Sequence, residues 1–354
     1  MEEHILKGKG AKSRFGDHLW LDITLLGRHH IEHNLREVKE ICESFLGIDP
    51  AEKWIPVRPA QHYTMGGVRT NPTGESRKLK GLFAAGEAAC WDMHGFNRLG
   101  GNSVAETVVA GMIVGEFIAD FCDNIGSNFD IPMGLVNEFG RREEAKLKVL
   151  LNGGGTENAF KLNMEMQDTM TRCVGIFRSG EALQEGVAKL QELLVRSRNI
   201  GVSNRVPGVN PELVMAYRVQ KMIKLALTVS YGALQRTESR GAHFRRDFPH
   251  RNDQQWLKRT LSFWRDDNAT LPELEYEDLD VMKMELPPGW RGYGAKDYID
   301  HPDTPKRAAE VEEIKQRMAG QDRYAVQDAI MSYTDKLPAK LRGLNERIDE
   351  PLDR

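Results

Sequence analysis

No Gly-x-Gly-x-x-Gly run occurs anywhere in these 354 residues, so the chain lacks the glycine-rich turn with which a dinucleotide-binding fold opens. Cysteine is scarce as well. Cys42, Cys90, Cys122 and Cys173 are scattered, with no Cys-x-x-Cys pair, which excludes a cysteine-built zinc or iron–sulfur centre and fits a reducing compartment. The four read as small buried apolar residues. Basic excess is missing too: 49 Lys and Arg stand against 52 Asp and Glu, leaving no footprint for nucleic acid or an anionic membrane surface. The opening Met1-Glu-Glu-His carries acids where a secretory signal would be basic and then apolar. The most apolar run, Val104 to Cys122, is interrupted by Glu106, Glu116 and Asp120, so it reads as a buried helix rather than a membrane span. Gly111 and Gly115 would let it pack closely on another element.

What is present is ordinary in bulk, with 29% charged and 40% hydrophobic residues, and long enough for two or three domains. Leu19 to Thr24 reads as a strand. Ile31, Leu35, Val38, Ile41 and Phe45 recur at helical spacing, predicting a helix over 28–45 closed by Gly47. Pro50, Pro56 and Pro59 mark an extended crossing. Four amphipathic segments, 134–151, 156–173, 181–198 and 210–235, predict a small antiparallel bundle, broken at Asn152, at Ser179-Gly180 and over 205–211. Beyond Arg236 the chain turns arginine-rich, with a strand expected over 256–264, a glycine-rich loop at 287–294, and a charged tail with helix over 307–318.

The chemistry concentrates between His62 and Glu106. Lys80-Gly-Leu-Phe-Ala-Ala-Gly-Glu87 reads as a short apolar strand, whose terminal Glu87 could accept hydrogen bonds from ribose or ribityl hydroxyls. A turn glycine followed by a solvated acid is the plainer alternative. Ser103 and Glu106 have capping-box spacing, so a helix should start there, with Gly100 and Gly101 letting a ligand approach its N–H groups. Such a start favours negative charge by ~0.3–1 kcal/mol at exposed sites. A well-capped helix with no ligand reads equally from the spacing. Arg98 is placed to fork onto a carboxylate. His62 can donate to a second carboxylate or be structural, and His94 reads as structural.

Three runs, His62-Tyr-Thr-Met-Gly-Gly, Gly81-Leu-Phe-Ala-Ala-Gly-Glu87 and His94-Gly-Phe-Asn-Arg-Leu-Gly-Gly-Asn-Ser-Val-Ala-Glu106, together resemble the flavoprotein subunit of fumarate reductase and succinate dehydrogenase. Glu238-Ser-Arg-Gly-Ala-His243, Asp247-Phe-Pro249 and the run at 288–296 extend the resemblance, in order, over essentially the whole chain. It lies nearest the quinol:fumarate reductase branch; L-aspartate oxidase shares a weaker version.

The resemblance implies an α/β segment of an FAD-binding fold, then a helical bundle and a small irregular α+β C-terminal domain. It divides the chain into the end of a capping domain (1–50), an FAD-binding segment with the substrate site (51–125), the bundle (126–236) and the C-terminal domain (237–354). His62 and Arg98 would bind the substrate carboxylates, Glu87 the flavin's ribityl chain, and Ser103 and Val104 the flavin ring. FAD is the implied cofactor, fumarate and succinate the substrates. An iron–sulfur subunit would deliver electrons, and a membrane anchor subunit would hold the complex to the cytoplasmic side of the inner membrane. The family's flavin-linking histidine and its nucleotide fold are not found here, and neither Arg14 nor Arg28 has the context of its proton-donating arginine. The chain is thus expected to be a C-terminal portion of a longer subunit, inactive alone. Succinate oxidation, or a non-catalytic role docking an iron–sulfur protein, stays open beside fumarate reduction.

Overall fold

The computed structural model describes residues 1–14, 16–125, 132–205, 208–279, 302 and 304–330. The expected glycine-rich loop and the run at 288–296 lie outside them. The chain divides into two compact units, Met1–Thr64 and Met65–Arg354.

In the first unit, α1 (Glu2–Leu6) precedes β1 (Leu19–Leu21), which pairs antiparallel with β2 (Ile55–Val57) in the register Leu19↔Val57. The expected strand over 19–24 is therefore shorter, because Asp22 accepts from the backbone N–H and hydroxyl of Thr24 and turns the chain into a 3-10 turn, Thr24–Leu26. The single helix expected over 28–45 is instead α2 (Arg28–Asn34), α3 (Arg36–Ile41) and a π turn, Cys42–Leu46. Leu35, at φ −125°, breaks it. Gly47 closes it in the left-handed region (φ 67°, ψ 29°), as its lack of a Cβ allows.

In the second unit, β3 (Val68–Arg69) runs parallel to β4 (Ala89–Cys90), and Arg69 ties the two, donating from Nη1 to the carbonyls of Thr70 and Cys90 at 3.0 and 3.1 Å. The strand expected over 80–87 is not formed. Phe83 makes one isolated bridge to Glu75, and Gly86–Ala88 curls into a 3-10 turn, since no neighbouring strand continues the ladder. Helix α4 (Asn102–Ile125) follows. Only Glu106, Ala110 and Val114 are buried on it, four residues apart, while Val104, Val108, Val109 and Met112 are exposed. The expected buried helix is thus half-covered. Its close approach uses Gly74, where a Cβ would fall 2.2 Å from Val114, and not Gly111 or Gly115.

The four bundle helices are α5 (Met133–Asn152), α6 (Ala159–Cys173), α7 (Gly180–Arg196) and α8 (Pro211–Gln235). Helices α6, α7 and α8 pack on one another around Leu162, Leu190, Leu193, Val219, Ile223 and Leu227. Asn158, Ser179 and Asn210 cap their starts by accepting the N–H groups of Lys161, Ala182 and Leu213. Helix α5 touches α8, where Glu143 accepts from the Tyr217 hydroxyl at 2.7 Å, but buries no residue of its own. Beyond it, α9 (Asp253–Trp256) leads into the antiparallel hairpin of β5 (Lys258–Phe263) and β6 (Glu273–Asp278), so the strand expected from Trp256 starts two residues later. Helices α10 (Thr304–Arg317) and α11 (Arg323–Ile330) close the described residues, joined by the Arg307 guanidinium donating to the Ile330 carbonyl. Cys42 and Cys173 are buried as expected, but Cys122 is exposed on α4. Among the described residues no helix is long and apolar enough to cross a membrane, and no cluster of His, Cys, Asp and Glu could hold a metal ion.

Candidate active site

After β4 the chain leaves regular structure, and the loop of residues 91–98 delivers Arg98 to the start of α4. Each part of this loop is held from a different direction. Glu106, 4% exposed, accepts from Trp91 Nε1 at 2.9 Å and lies 3.0 Å from His94 Nε2. The expected helix start is there, with Glu106 turned inward to the loop. Ser103 sits inside the helix, its carbonyl accepting from the Thr107 hydroxyl at 2.8 Å. His94 is anchored to the buried Glu106 carboxylate.

Asp92 has φ 77°, the one positive φ at a non-glycine residue among those described, a conformation that costs energy without a constraint to hold it. The constraint is ionic. Arg69 Nη2 lies 3.2 Å from its carboxylate and Arg259 pairs with it as well. Both arginines also meet Glu277, at 3.3 and 3.1 Å, and Arg77 joins at 2.6 Å. Burial pushes the Glu277 carboxyl up, yet its three guanidinium partners outweigh that and hold it below the usual range. Three of these pairs, Arg259 with Asp92 and Arg77 and Arg69 with Glu277, join residues 167, 200 and 208 positions apart, a separation that local pattern does not register.

Arg98 itself is half-buried, and its Nη1 donates to the Leu99 carbonyl at 3.0 Å. Gly101 turns the chain into α4 at φ 82°, and a Cβ at Gly100 or Gly101 would meet nothing within 4 Å. Val104 is 72% exposed. A 24-residue helix therefore begins beside an arginine with its first turn open, and the N–H groups of a first helical turn have no intrahelical acceptor. Glu87 is exposed on its 3-10 turn, and Gly86 packs against Thr107 on α4, where a Cβ would fall 3.2 Å from the hydroxyl. The structure thus brings Arg98, Ser103, Val104 and the Glu87 turn to one end of α4. His62 is exposed and belongs to the first unit. An open glycine-flanked helix start, an exposed carboxylate beside it and a neighbouring arginine suit an anionic, hydroxyl-bearing ligand such as FAD.

Comparisons with known proteins agree with that chemistry. Residues 1–104 match the family model described as an FAD binding domain, and residues 163–293 match that of the fumarate reductase flavoprotein C-terminus. The fumarate reductase flavoprotein subunit of Helicobacter pylori is 47% identical over 98% of this chain and 52% of that protein. A solved Escherichia coli quinol fumarate reductase superposes with a TM-score of 0.75 at 35% identity, covering 83% of this chain and 49% of that one. A quinol-fumarate reductase solved with menaquinol gives 0.74 at 34%, over 81% and 49%. The chain spans about half the length of the curated relatives it matches. It belongs to the fumarate reductase and succinate dehydrogenase flavoprotein family, whose cofactor is FAD.

Proposed function

We propose that this chain carries part of the substrate and flavin site of a fumarate reductase flavoprotein subunit, which reduces fumarate to succinate. The observation that carries the reading is Arg98, held at the open, glycine-flanked start of α4. Its planar guanidinium binds both oxygens of one carboxylate and draws electron density from the C=C bond, which favours addition at the adjacent carbon. His62 supplies a hydrogen bond to the second carboxylate, a role resting on the family resemblance. Glu87 would hold the ribityl hydroxyls of FAD and the backbone of Ser103 and Val104 would hold its flavin ring, where the positive end of α4 favours negative charge. FAD, when bound, supplies the two-electron chemistry.

The domain division into 1–50, 51–125, 126–236 and 237–354 is carried with this reading. Electrons are proposed to arrive from an iron–sulfur subunit, with membrane attachment at the cytoplasmic face through an anchor subunit. The chain's lack of a Cys-x-x-Cys pair is consistent with clusters held elsewhere. Fumarate reduction, rather than succinate oxidation, is supported by the Helicobacter pylori and Escherichia coli relatives. The test is fumarate-dependent reoxidation of reduced viologen by the flavin-loaded assembly containing this chain. Turnover that competes with malonate supports the reading; a flavin-loaded assembly inert to fumarate and to succinate overturns it.

A further inference from the structure

The run Glu238–His243 carries no group of the proposed chemistry, yet it grips the loop that delivers Arg98. The Ala242 N–H donates to the Phe96 carbonyl at 3.1 Å. Gly241 has φ 57°, and a Cβ there would fall 2.8 Å from the Phe96 Cβ and 3.1 Å from its carbonyl carbon. Only glycine fits this position. The Phe96 ring lies 4.8 Å from the Arg236 guanidinium, which stands at the same distance from the Trp256 ring.

Arg236 is itself immobilised. It is 2% exposed and donates to Glu238 Oε1 at 2.7 Å and to the Trp256 carbonyl at 2.9 Å. Glu238, fully buried, also accepts from Arg240 Nε and Nη2 at 2.8 and 2.9 Å and from the Asn252 N–H at 2.9 Å. Arg240 reaches on to Asp253 at 2.7 Å. Charge-assisted bonds in a water-poor interior make this a stiff platform. A stiff platform is not needed to bury one half-buried phenylalanine. It is needed where a group two residues away must be held to a fraction of an ångström.

We propose that Arg236, Gly241 and Ala242 are positioning residues: they clamp the ring and backbone of Phe96 and so fix the approach of Arg98 to its carboxylate. This inference rests on the reading of Arg98 as a substrate ligand. The contact is reciprocal and sterically tight, so a small enlargement at Gly241 moves the loop rather than the platform. A displacement of about 1 Å at a substrate clamp costs on the order of 10²-fold in rate.

The test uses Gly241→Ala, Phe96→Leu and Phe96→Tyr in the full chain and in its flavin-loaded assembly. In the full chain, amide hydrogen exchange at Ala242, the donor of the clamp bond, and at Asn97 should quicken by about tenfold or more in Gly241→Ala and Phe96→Leu, with α7 unchanged. Phe96→Tyr keeps a ring over the guanidinium and should retain protection. In the assembly, the first two variants should lower kcat and kcat/KM for fumarate by about tenfold or more with FAD content unchanged, and the tyrosine variant should keep the wild-type values. Unaltered exchange at Ala242 and Asn97 in both variants overturns the clamp. Faster exchange with an unchanged kcat/KM for fumarate overturns its positioning role. A wild-type assembly that binds no dicarboxylate overturns the reading of Arg98 instead, and the exchange measurement then still decides the clamp.

Discussion

Arg98 offers two parallel N–H donors as well as a charge, and only the charge survives in lysine. Arg98→Lys should therefore lower kcat/KM for fumarate by about 10²-fold or more, as for other lost transition-state donors. FAD content should be unchanged, and steady-state kinetics of the flavin-loaded assembly would check both. A loss confined to KM would mean that Arg98 binds fumarate and transition state equally. His243 makes a different residue-scale prediction. Its Nδ1 lies 3.0 Å from Arg178 Nη1, which can only donate, so Nε2 carries the proton and donates to the Arg236 carbonyl at 3.2 Å. The ring is thus neutral, and burial, with the Arg178 charge, holds its pKa down at about 4 against a usual 6.5. Because the folded value lies below the unfolded one, the unfolded chain takes up the proton first as pH falls. The stabilisation is complete above about pH 6.5 and is lost toward pH 4, with an upper bound of ~3 kcal/mol. Urea midpoints at pH 7 and pH 5 should separate, and more so than in His243→Asn, whose amide can serve the same two partners without titrating. Residue identity alone marked Arg98 as a candidate, because an arginine before a glycine pair at a helix start can fork onto a carboxylate. It could not indicate that Asp92, Arg259 and Glu277 meet, since only the folded chain brings them together.

Elements whose cause is local were legible. The bundle helices announce themselves by apolar spacing, and the structure adds caps at Asn158, Ser179 and Asn210, each with a side-chain oxygen three residues before the N–H it accepts. Asn210→Ala removes the α8 cap and also the donor to the Asn204 carbonyl, in a position 5% exposed. It should cost about 1–2 kcal/mol, and Leu190→Ala in the bundle core about 2–5 kcal/mol; chemical denaturation followed by circular dichroism measures both. An Asn210→Ala chain as stable as wild type would mean that Pro211 alone sets the start of α8. Elements whose cause is distant were not legible. The segment over 80–87 has strand composition, but a strand exists only where a neighbour completes its hydrogen bonds, and here one bridge to Glu75 is all it receives. Glu106 has the spacing of a capping box, and the choice between its own helix start and Trp91 with His94 is made by tertiary packing. The α4 pattern is apolar on several faces, while its burial follows only the 106–110–114 row. Composition records what a helix could cover; it does not record what covers it.

On the scale of the whole molecule, two facts bear on flavin. The end of α4 where Arg98 and the Glu87 turn meet is open and suited to an anionic ligand. Yet these 354 residues contain no Gly-x-Gly-x-x-Gly turn, and the chain spans about half the length of its relatives. A helix start offers ~0.3–1 kcal/mol at exposed sites to an anion. Micromolar binding needs about 8 kcal/mol, so the groups found here cannot by themselves hold a dinucleotide tightly. In a dinucleotide fold the pyrophosphate rests on such a glycine turn, where backbone N–H groups and a helix start act together. The expected outcome is that the purified 354-residue chain carries no stoichiometric FAD and shows negligible fumarate turnover. Added FAD should keep most of its fluorescence up to tens of micromolar chain, and a polypeptide bearing the nucleotide turn should restore quenching when mixed with it. Arg98→Lys should leave that restored quenching intact while fumarate turnover falls, because the proposed reading gives the arginine to the substrate and not to the cofactor. Stoichiometric flavin on the isolated chain would show instead that the open end of α4 has a binding strength its visible groups do not account for.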